Sequence, residues 1–535
     1  MTVFNLSDAD GACLRREVDV CIVGGGMAGL AAAHRLGAVP GLRACVLESG
    51  GHARDEHLEA LNDVEDPKGR YAGARASRVR LIGGASTLWG GRLLPLTAHD
   101  LGARDYASIE PWPINPEELD AHTSSVETLF DLDHHPFEST DLARVWPKFG
   151  LYPRHAGVSC RFAKFPTFRN RNIATALRRS VLAGARVTVY LNATVHDFGL
   201  DAEAGRLREV VARAPNGASL RVAARYFIFA AGTIETTRLA LLLDRVSHQR
   251  AFAGCGALGH YFNDHLKVAV GRVFPIDACA TNRLLGYHVV GATRRNLHFE
   301  LSAQAQRQHA IPSAYIDFRL AMPERSIYSA LRDLGRRIQG KAPPHRDRQL
   351  LREALDVETL YRLLFWRLRH RQLYLSDTIS ITAEMRIEQA PSAAHRVTLS
   401  DRRDAFGTPQ VRLDWSPTEA DRRTFLAALR HFKAFWSQSG LTAVSPIAWE
   451  PDDEASGDRF LNRAQDASHP AGSTRMGLDP TRSVVDPALR CHGVPNLFLV
   501  SASVFPGAGS ANPTLTILQL AHRCADRIAG EIRPA

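Results

Sequence analysis

The feature that most constrains this chain is an apolar run, Val18-Asp19-Val20-Cys21-Ile22-Val23, that breaks into Gly24-Gly25-Gly26-Met27-Ala28-Gly29. A short β-branched run of this kind reads as a buried strand. An alanine-rich helix, Leu30 to Leu36, follows, and a second apolar strand, Ala44 to Leu47, ends at Glu48. Strand, glycine turn, helix and strand ending in an acid form the βαβ unit that holds a dinucleotide. Gly24, Gly26 and Gly29 permit the tight turn, close approach of backbone to a pyrophosphate, and close helix-on-strand packing. The phosphates would meet the first turn of the helix, Met27 and Ala28 included, where free N–H groups and the dipole favour anions. Glu48 lies 22 residues after Gly26 and can accept hydrogen bonds from a ribose diol. Its charge argues against a 2′-phosphate. A glycine turn with only a structural role is the plainer alternative, and the flanking strands and acid weigh against it.

At 535 residues the chain is long enough for several domains and a core that needs no disulfide or metal staples. Its 45% hydrophobic and 23% charged residues exclude disorder, collagen and coiled coil. The eight cysteines contain no C-x-x-C pair, which removes zinc ribbons and cysteine-ligated clusters, and no metal site is expected. The formal charge is +10, but only six of the 66 basic residues are lysine. Residues 322–372 carry 12 Lys/Arg against 6 Asp/Glu, so the excess is regional. Without a binding motif it gives no reason to expect a nucleic-acid partner. There is no signal-like apolar segment and no run of 18 apolar residues, so a soluble, cytoplasmic protein without membrane contact is expected.

A second glycine cluster, Gly83-Gly84-Ala85-Ser86-Thr87-Leu88-Trp89-Gly90-Gly91, follows Arg78 and Arg80. Two glycine pairs around Ser86 and Trp89 suggest backbone laid flat against a planar, anionic ligand; a tight surface loop is the alternative. Further on, Glu117 to Leu132 has helical periodicity, and residues 185–195 and 206–213 alternate like antiparallel strands. Tyr226 to Gly232 and Asn496 to Val500 read as buried strands. Apolar core strands thus recur far from the amino terminus, so the nucleotide domain is expected to be discontinuous. His469-Pro470-Ala471-Gly472-Ser473-Thr474-Arg475-Met476-Gly477 and Asn512-Pro513-Thr514-Leu515-Thr516 are the remaining motifs. By residue type alone, His469 is one histidine among 22, and Asn512 reads as a helix N-cap before Pro513. Leu360, Leu363, Leu364 and Leu368 share a helical face with arginines between them. We read this as a lid or core helix with a solvated basic face, rather than as a membrane or redox-partner surface.

The glycine fingerprint, the G-G-x-S-x-x-W-G-G loop, Ala231-Gly232-Thr233-Ile234-Glu235-Thr236 and the two carboxyl-terminal motifs occur in the order and spacing of one family. The chain resembles the glucose–methanol–choline (GMC) flavoprotein oxidoreductases over residues 18 to 528, weakly in the middle third. The Trp-Gly-Gly loop, Trp112-Pro113-Ile114 and Val504-Phe505-Pro506 are similar to its bacterial, sugar-oxidising branch, which includes pyranose oxidase and fructose dehydrogenase.

The resemblance implies an α/β fold. A discontinuous Rossmann-like FAD-binding domain (1–110, 180–270, 456–535) would be joined to a substrate domain on a mostly antiparallel sheet with helices (111–179, 271–455). It implies FAD, with its ADP half on Gly24 to Gly29 and Glu48, backbone at Val195 near the adenine, and the isoalloxazine against Gly83, Gly84, Ser86, Trp89 and Gly90. Ala502 would contact the pyrophosphate or ribityl chain. The helix beginning at Pro513 and Thr514 would point its positive end at the flavin pyrimidine edge. The family's usual acid is replaced by Ser501. Where covalent members carry a flavin-linking histidine this chain has Leu88, so non-covalent FAD is expected. The implied reaction is oxidation of a small-molecule alcohol, a sugar or glycosidic hydroxyl by preference, with His469 as base and Asn512 holding the substrate oxygen. Oxygen, a quinone or a protein would accept the electrons. The alternatives are a lyase or decarboxylase on the same scaffold, or an electron-transfer subunit. His260 and His265 lie in a block, Gly259 to His265, that also resembles the family's pattern, and both are taken as structural.

Overall fold

The computed structural model describes residues 3–9, 11, 13–146, 155–201, 205–323, 326–330, 357–450 and 459–532. Two large sheets organise them. In the first, the strands Val3–Asn5, Val187–Leu191, Ala44–Leu47, Cys13–Val23 and Ser219–Phe229 lie side by side and parallel. Leu497–Leu499 extends this parallel set along the far end of Ser219–Phe229. The hairpin Thr194–Asp201/Arg206–Arg213 closes the other end in antiparallel register. Cys21, Ile22, Phe227, Ile228 and Phe229 are wholly buried. That is what near-continuous apolar runs do when both faces of a parallel sheet are covered. The glycine-turn helix Met27–Gly37 packs on this sheet and against the last helix, Thr514–Ile532.

The second sheet is antiparallel throughout. Its order is His288–Val290, Thr293–Leu301, Ala314–Ala321, Ser380–Glu388, His265–Val273 and Ile447–Trp449. Val158–Phe165 also pairs with Thr293–Leu301, and Gln465–Asp466 with His265–Val273. The helix Glu419–Gln438 covers one face, burying Phe425, Phe432, Phe435 and Trp436. Strand alternation then sorts the residues. On Ser380–Glu388, Ile381, Ala383, Met385 and Ile387 enter that apolar core, while Glu384 and Arg386 line a cavity on the opposite side.

Several expectations are adjusted by these elements. Residues 187–191 form a parallel strand, and only 194–201 enters the antiparallel hairpin. The stretch 117–132 is two short helices, Pro116–Asp120 and Thr123–Leu129. His265–Val273 runs across the expected boundary at residue 270 and lies wholly in the antiparallel sheet. Of the basic stretch 322–372, residues 324–325 and 331–356 lie outside the described residues. The helix Val357–Phe365 within it buries none of its own residues; Tyr361 and Leu364 are exposed, and Leu363 reaches the cavity. It is therefore not a core helix.

Candidate active site

Backbone builds one side of the site. Gly24 has φ +107°, and a Cβ there would lie 2.6 Å from the Ala230 carbonyl oxygen. A Cβ on Gly29 would stand 1.9 Å from the Gly24 oxygen, so helix and strand can approach only without a side chain. The second glycine loop docks on the first, with the Gly83 N–H donating to the Gly25 oxygen at 2.8 Å. Glu48 terminates its strand buried, accepting from the Gly25 N–H at 2.7 Å and the Gly50 N–H at 2.8 Å. Burial lifts its carboxyl to about 7 against those two N–H groups and Arg80.

A cavity of about 1030 Å³ separates the two sheets. Gly24, Gly26, Met27, Ala28, Glu48, Gly84, Ser86, Trp89, Gly90 and Val195 line it, as do His469, Ala502, Asn512, Pro513 and Thr514. Two expected cofactor residues do not. Gly29 is packed behind the turn, and Gly83 serves the contact between the two glycine loops. The Ser86 hydroxyl is turned inward to the Gly83 oxygen. Leu88 faces the cavity, while the Trp89 indole N–H donates to the Arg171 oxygen at 2.8 Å. Glu235, inside the Ala231–Thr236 block, ties down the loop before Gly83: Arg80 reaches it at 2.9 Å and Arg78 at 3.1 Å. These partners and Arg238 hold its carboxyl near 2 despite burial.

The structure brings His469 and Asn512 together. Asn512 Nδ2 lies 2.8 Å from His469 Nε2, so the Asn512 side chain turns to the histidine instead of capping the final helix. Asn512 Oδ1 is buried without a partner. The segment carrying His469 is held in an unusual conformation, with Ser468 at φ +61° and Ser473 at φ +78°. Its anchors are long-range: the His469 N–H donates to Asp264 Oδ1 at 2.9 Å, and Thr233 Oγ1 donates to the Pro470 oxygen at 2.7 Å.

Behind the pair stands His265, a residue that the sequence alone suggests only as structural. Its Nε2 meets the Gly509 carbonyl oxygen at 2.7 Å, and an oxygen can only accept, so Nε2 carries the hydrogen. His265 Nδ1 is then an acceptor, and His469 Nδ1, 3.3 Å away, donates to it. That leaves the lone pair on His469 Nε2, the atom beside Asn512. The only sequence signal for this was His265 inside a family block. Asp264, His265 and His469 also bring ligand-type atoms within 4.8 Å of one another. All three are already engaged in these hydrogen bonds, and Tyr71 Oη donates to Asp264 at 2.6 Å as well. Burial and Asp466 raise Asp264 to about 8. Burial, then His265, Arg386, Arg92 and Lys267, push His469 well below the usual imidazole value, so it is neutral.

Residues 391–521 match the family described as GMC oxidoreductase. The chain's sequence relatives include paromamine 6'-oxidase of Streptomyces fradiae, 32% identical over 156 residues, which are 29% of this chain and 27% of that protein. Oxygen-dependent choline dehydrogenase of Proteus mirabilis (strain HI4320) is 33% identical over 137 residues, 25% and 24% of the two chains. The chain thus aligns with about a quarter of the length of each relative. Solved structures are similar over nearly the whole length. Pyridoxine 4-oxidase of Mesorbium loti has a TM-score of 0.57 at 19% identity, covering 95% of this chain and 99% of that one. A formate oxidase variant of Aspergillus oryzae RIB40, studied for its FAD modification, has a TM-score of 0.56 at 16% identity, covering 97% and 99%. The fold is the α/β fold of these oxidases. Among the described residues no helix is long and apolar enough to cross a membrane.

Proposed function

We propose that this chain is an FAD-dependent oxidoreductase that oxidises an alcohol carbon. The observation that carries the reading is the pairing of His469 and Asn512 at 2.8 Å, in the same cavity as the glycine turn. Gly24, Gly26, Met27, Ala28 and Glu48 would hold the ADP half of FAD. The loop from Gly84 to Gly90, with Val195, Ala502, Pro513 and Thr514, would hold the rest. A turn that tolerates no Cβ and a partnerless Asn512 Oδ1 fit a large planar ligand. When bound, FAD supplies the hydride acceptor at N5. The chain's own part is proton handling and position. His469 Nε2 takes the substrate hydroxyl proton, Asn512 holds the same oxygen, and the His265 hydrogen bond keeps the base in its working tautomer. Leu88 offers no nucleophile to the flavin, so attachment is non-covalent.

A sugar or glycosidic hydroxyl is the class we favour, supported by the polar wall of Asn296, Asp317, Glu384 and Arg386 and by the likeness to an oxidase named for paromamine. The electron acceptor would be oxygen, a quinone or a protein, and the proposed location is the cytoplasm. The test is an anaerobic screen of alcohols against the yellow holoenzyme. Bleaching of the flavin by at least one of them is expected, and failure with every alcohol would shift the assignment to lyase or decarboxylase chemistry. Acid precipitation should leave all the flavin in the supernatant; colour retained by the pellet would refute non-covalent binding.

A further inference from the structure

Among the described residues seven arginines face the cavity, and five of them pair with carboxylates of the protein, three carboxylates in all. Arg92 and Arg386 share Asp317 at 2.9 and 3.6 Å. Arg319 has Glu384 at 3.3 Å, and Arg78 and Arg80 have Glu235. Arg171 and Arg294 differ. Neither pairs with a carboxylate among the described residues; the charged groups acting on Arg171 are Arg294, which repels it, and the Tyr287 phenol. Arg171 Nε is buried with no hydrogen-bond partner, and Arg294 donates one hydrogen bond, to the Pro166 oxygen at 3.3 Å, and lies over the Tyr287 ring. Both guanidinium groups lie over the same ring: their Cζ atoms are 4.2 and 5.0 Å from the Phe168 centroid. Burial depresses both, Arg171 to about 10.

Two partly buried cations set side by side without counter-charge are costly to a fold unless something anionic completes them. The flavin phosphates do not suit this place, because they belong at the Gly24–Gly29 turn. Arg171 instead packs on Gly91, where an added Cβ would lie 3.1 Å from its Nε, at the far end of the Trp89 loop. Guanidinium groups fixed on an aromatic face present planar donor forks, the geometry that suits carboxylate and phosphate oxygens.

We propose that Arg171 and Arg294 clamp an oxyanion, carboxylate or phosphate, carried by the alcohol substrate at a distance from its reacting carbon. This rests on the alcohol-oxidation reading above and narrows it: the substrate is an acidic polyol or sugar acid.

The test offers the holoenzyme matched sets, glucose with glucuronate and glucose 6-phosphate, and glycerol with glycerate and glycerol 3-phosphate, under anaerobic flavin reduction. In parallel, inorganic phosphate and acetate are titrated against the flavin absorbance. An anionic member should surpass its neutral partner by roughly 10–100-fold in kcat/KM. Arg171→Gln and Arg294→Gln should remove that advantage, the scale of a lost charge-assisted pair. Arg171→Lys should recover part of it. Carboxylate and phosphate arms tell the two anions apart. If neutral alcohols do as well as anionic ones, the clamp is refuted and the oxidation reading stands. If no alcohol reduces the flavin but phosphate or acetate binds, weakened by the same variants, the clamp stands and the oxidation reading falls. Absence of both turnover preference and saturable anion binding overturns the clamp. Flavin content and melting temperature of each variant identify one that has merely failed to fold.

Discussion

The two walls of the cavity are made differently. The wall on the parallel sheet is mostly backbone from two turns, Gly24–Ala28 and Gly84–Gly90, where the constraint is absence of a side chain. The wall on the antiparallel sheet is side chains, with Asn296, Asp317, Glu384 and Arg386 coming from three separate strands. A backbone wall recognises what every dinucleotide shares; a side-chain wall can be rewritten without disturbing the fold. On the proposed function, cofactor and substrate preference would be built on different halves of one molecule, and damage to each should look different.

The largest effect is expected on the backbone wall. Gly29→Val would drive a branched side chain into the Gly24 oxygen, which lies 1.9 Å from the first added carbon. The purified protein should be colourless or insoluble; a yellow, stable variant would show that this turn does not define the cofactor site. At the His469–Asn512 pair the damage should be chemical only. His469→Ala should keep its flavin yet be reduced by substrate roughly 10²–10⁴-fold more slowly, the range for loss of a general base. Asn512→Ala should slow reduction too, and its thermal stability should change little, because the side chain does not cap the helix. A fall in melting temperature comparable to a lost cap, about 1 kcal/mol, would restore the capping role.

This asymmetry also explains what was legible in the sequence. Gly24-x-Gly26-x-x-Gly29 could be read because the tight turn and the residues that make it are adjacent. Asn512 could be placed by resemblance but not by spacing, since nothing in the chain states that residue 512 meets residue 469. The Asn512-Pro513 pair in fact pointed locally to a cap, and the tertiary contact overrode it. His265 was missed for the same reason: its part is written in the carbonyl of Gly509, 244 residues away. The helix Val357–Phe365 was read correctly as amphipathic, but periodicity cannot say which face the rest of the protein covers.

A smaller effect should separate orientation from chemistry. His265→Leu removes the acceptor of the His469 Nδ1 hydrogen and frees the other tautomer. Reduction should slow about tenfold, near the value of one neutral hydrogen bond. The tautomer populations of His469, read by ¹⁵N NMR, should become mixed, and His265→Gln, which restores an acceptor, should recover part of the rate. An unmixed tautomer in the leucine variant would leave His265 as packing alone.

The smallest expected change is one that an isolated imidazole would make and His469 should not. An ordinary histidine gains its proton near pH 6.5, and a base with that value would give flavin reduction an acid limb there. His469 is held below this by burial and by His265, Arg386, Arg92 and Lys267. A lowered value means that the proton-accepting form persists to lower pH. The kcat/KM for reduction by an uncharged alcohol should therefore stay level as pH falls through 6.5, with the loss displaced to more acid solution. Asp264, beside the His469 backbone N–H, titrates from the other side at about 8, and its ionisation would favour protonation of His469. Any inflection near pH 8 should accordingly vanish in Asp264→Asn while the level region at 6.5 remains. An acid limb centred at 6.5 that disappears with His469→Ala would mean that burial and these neighbouring groups do not govern the base.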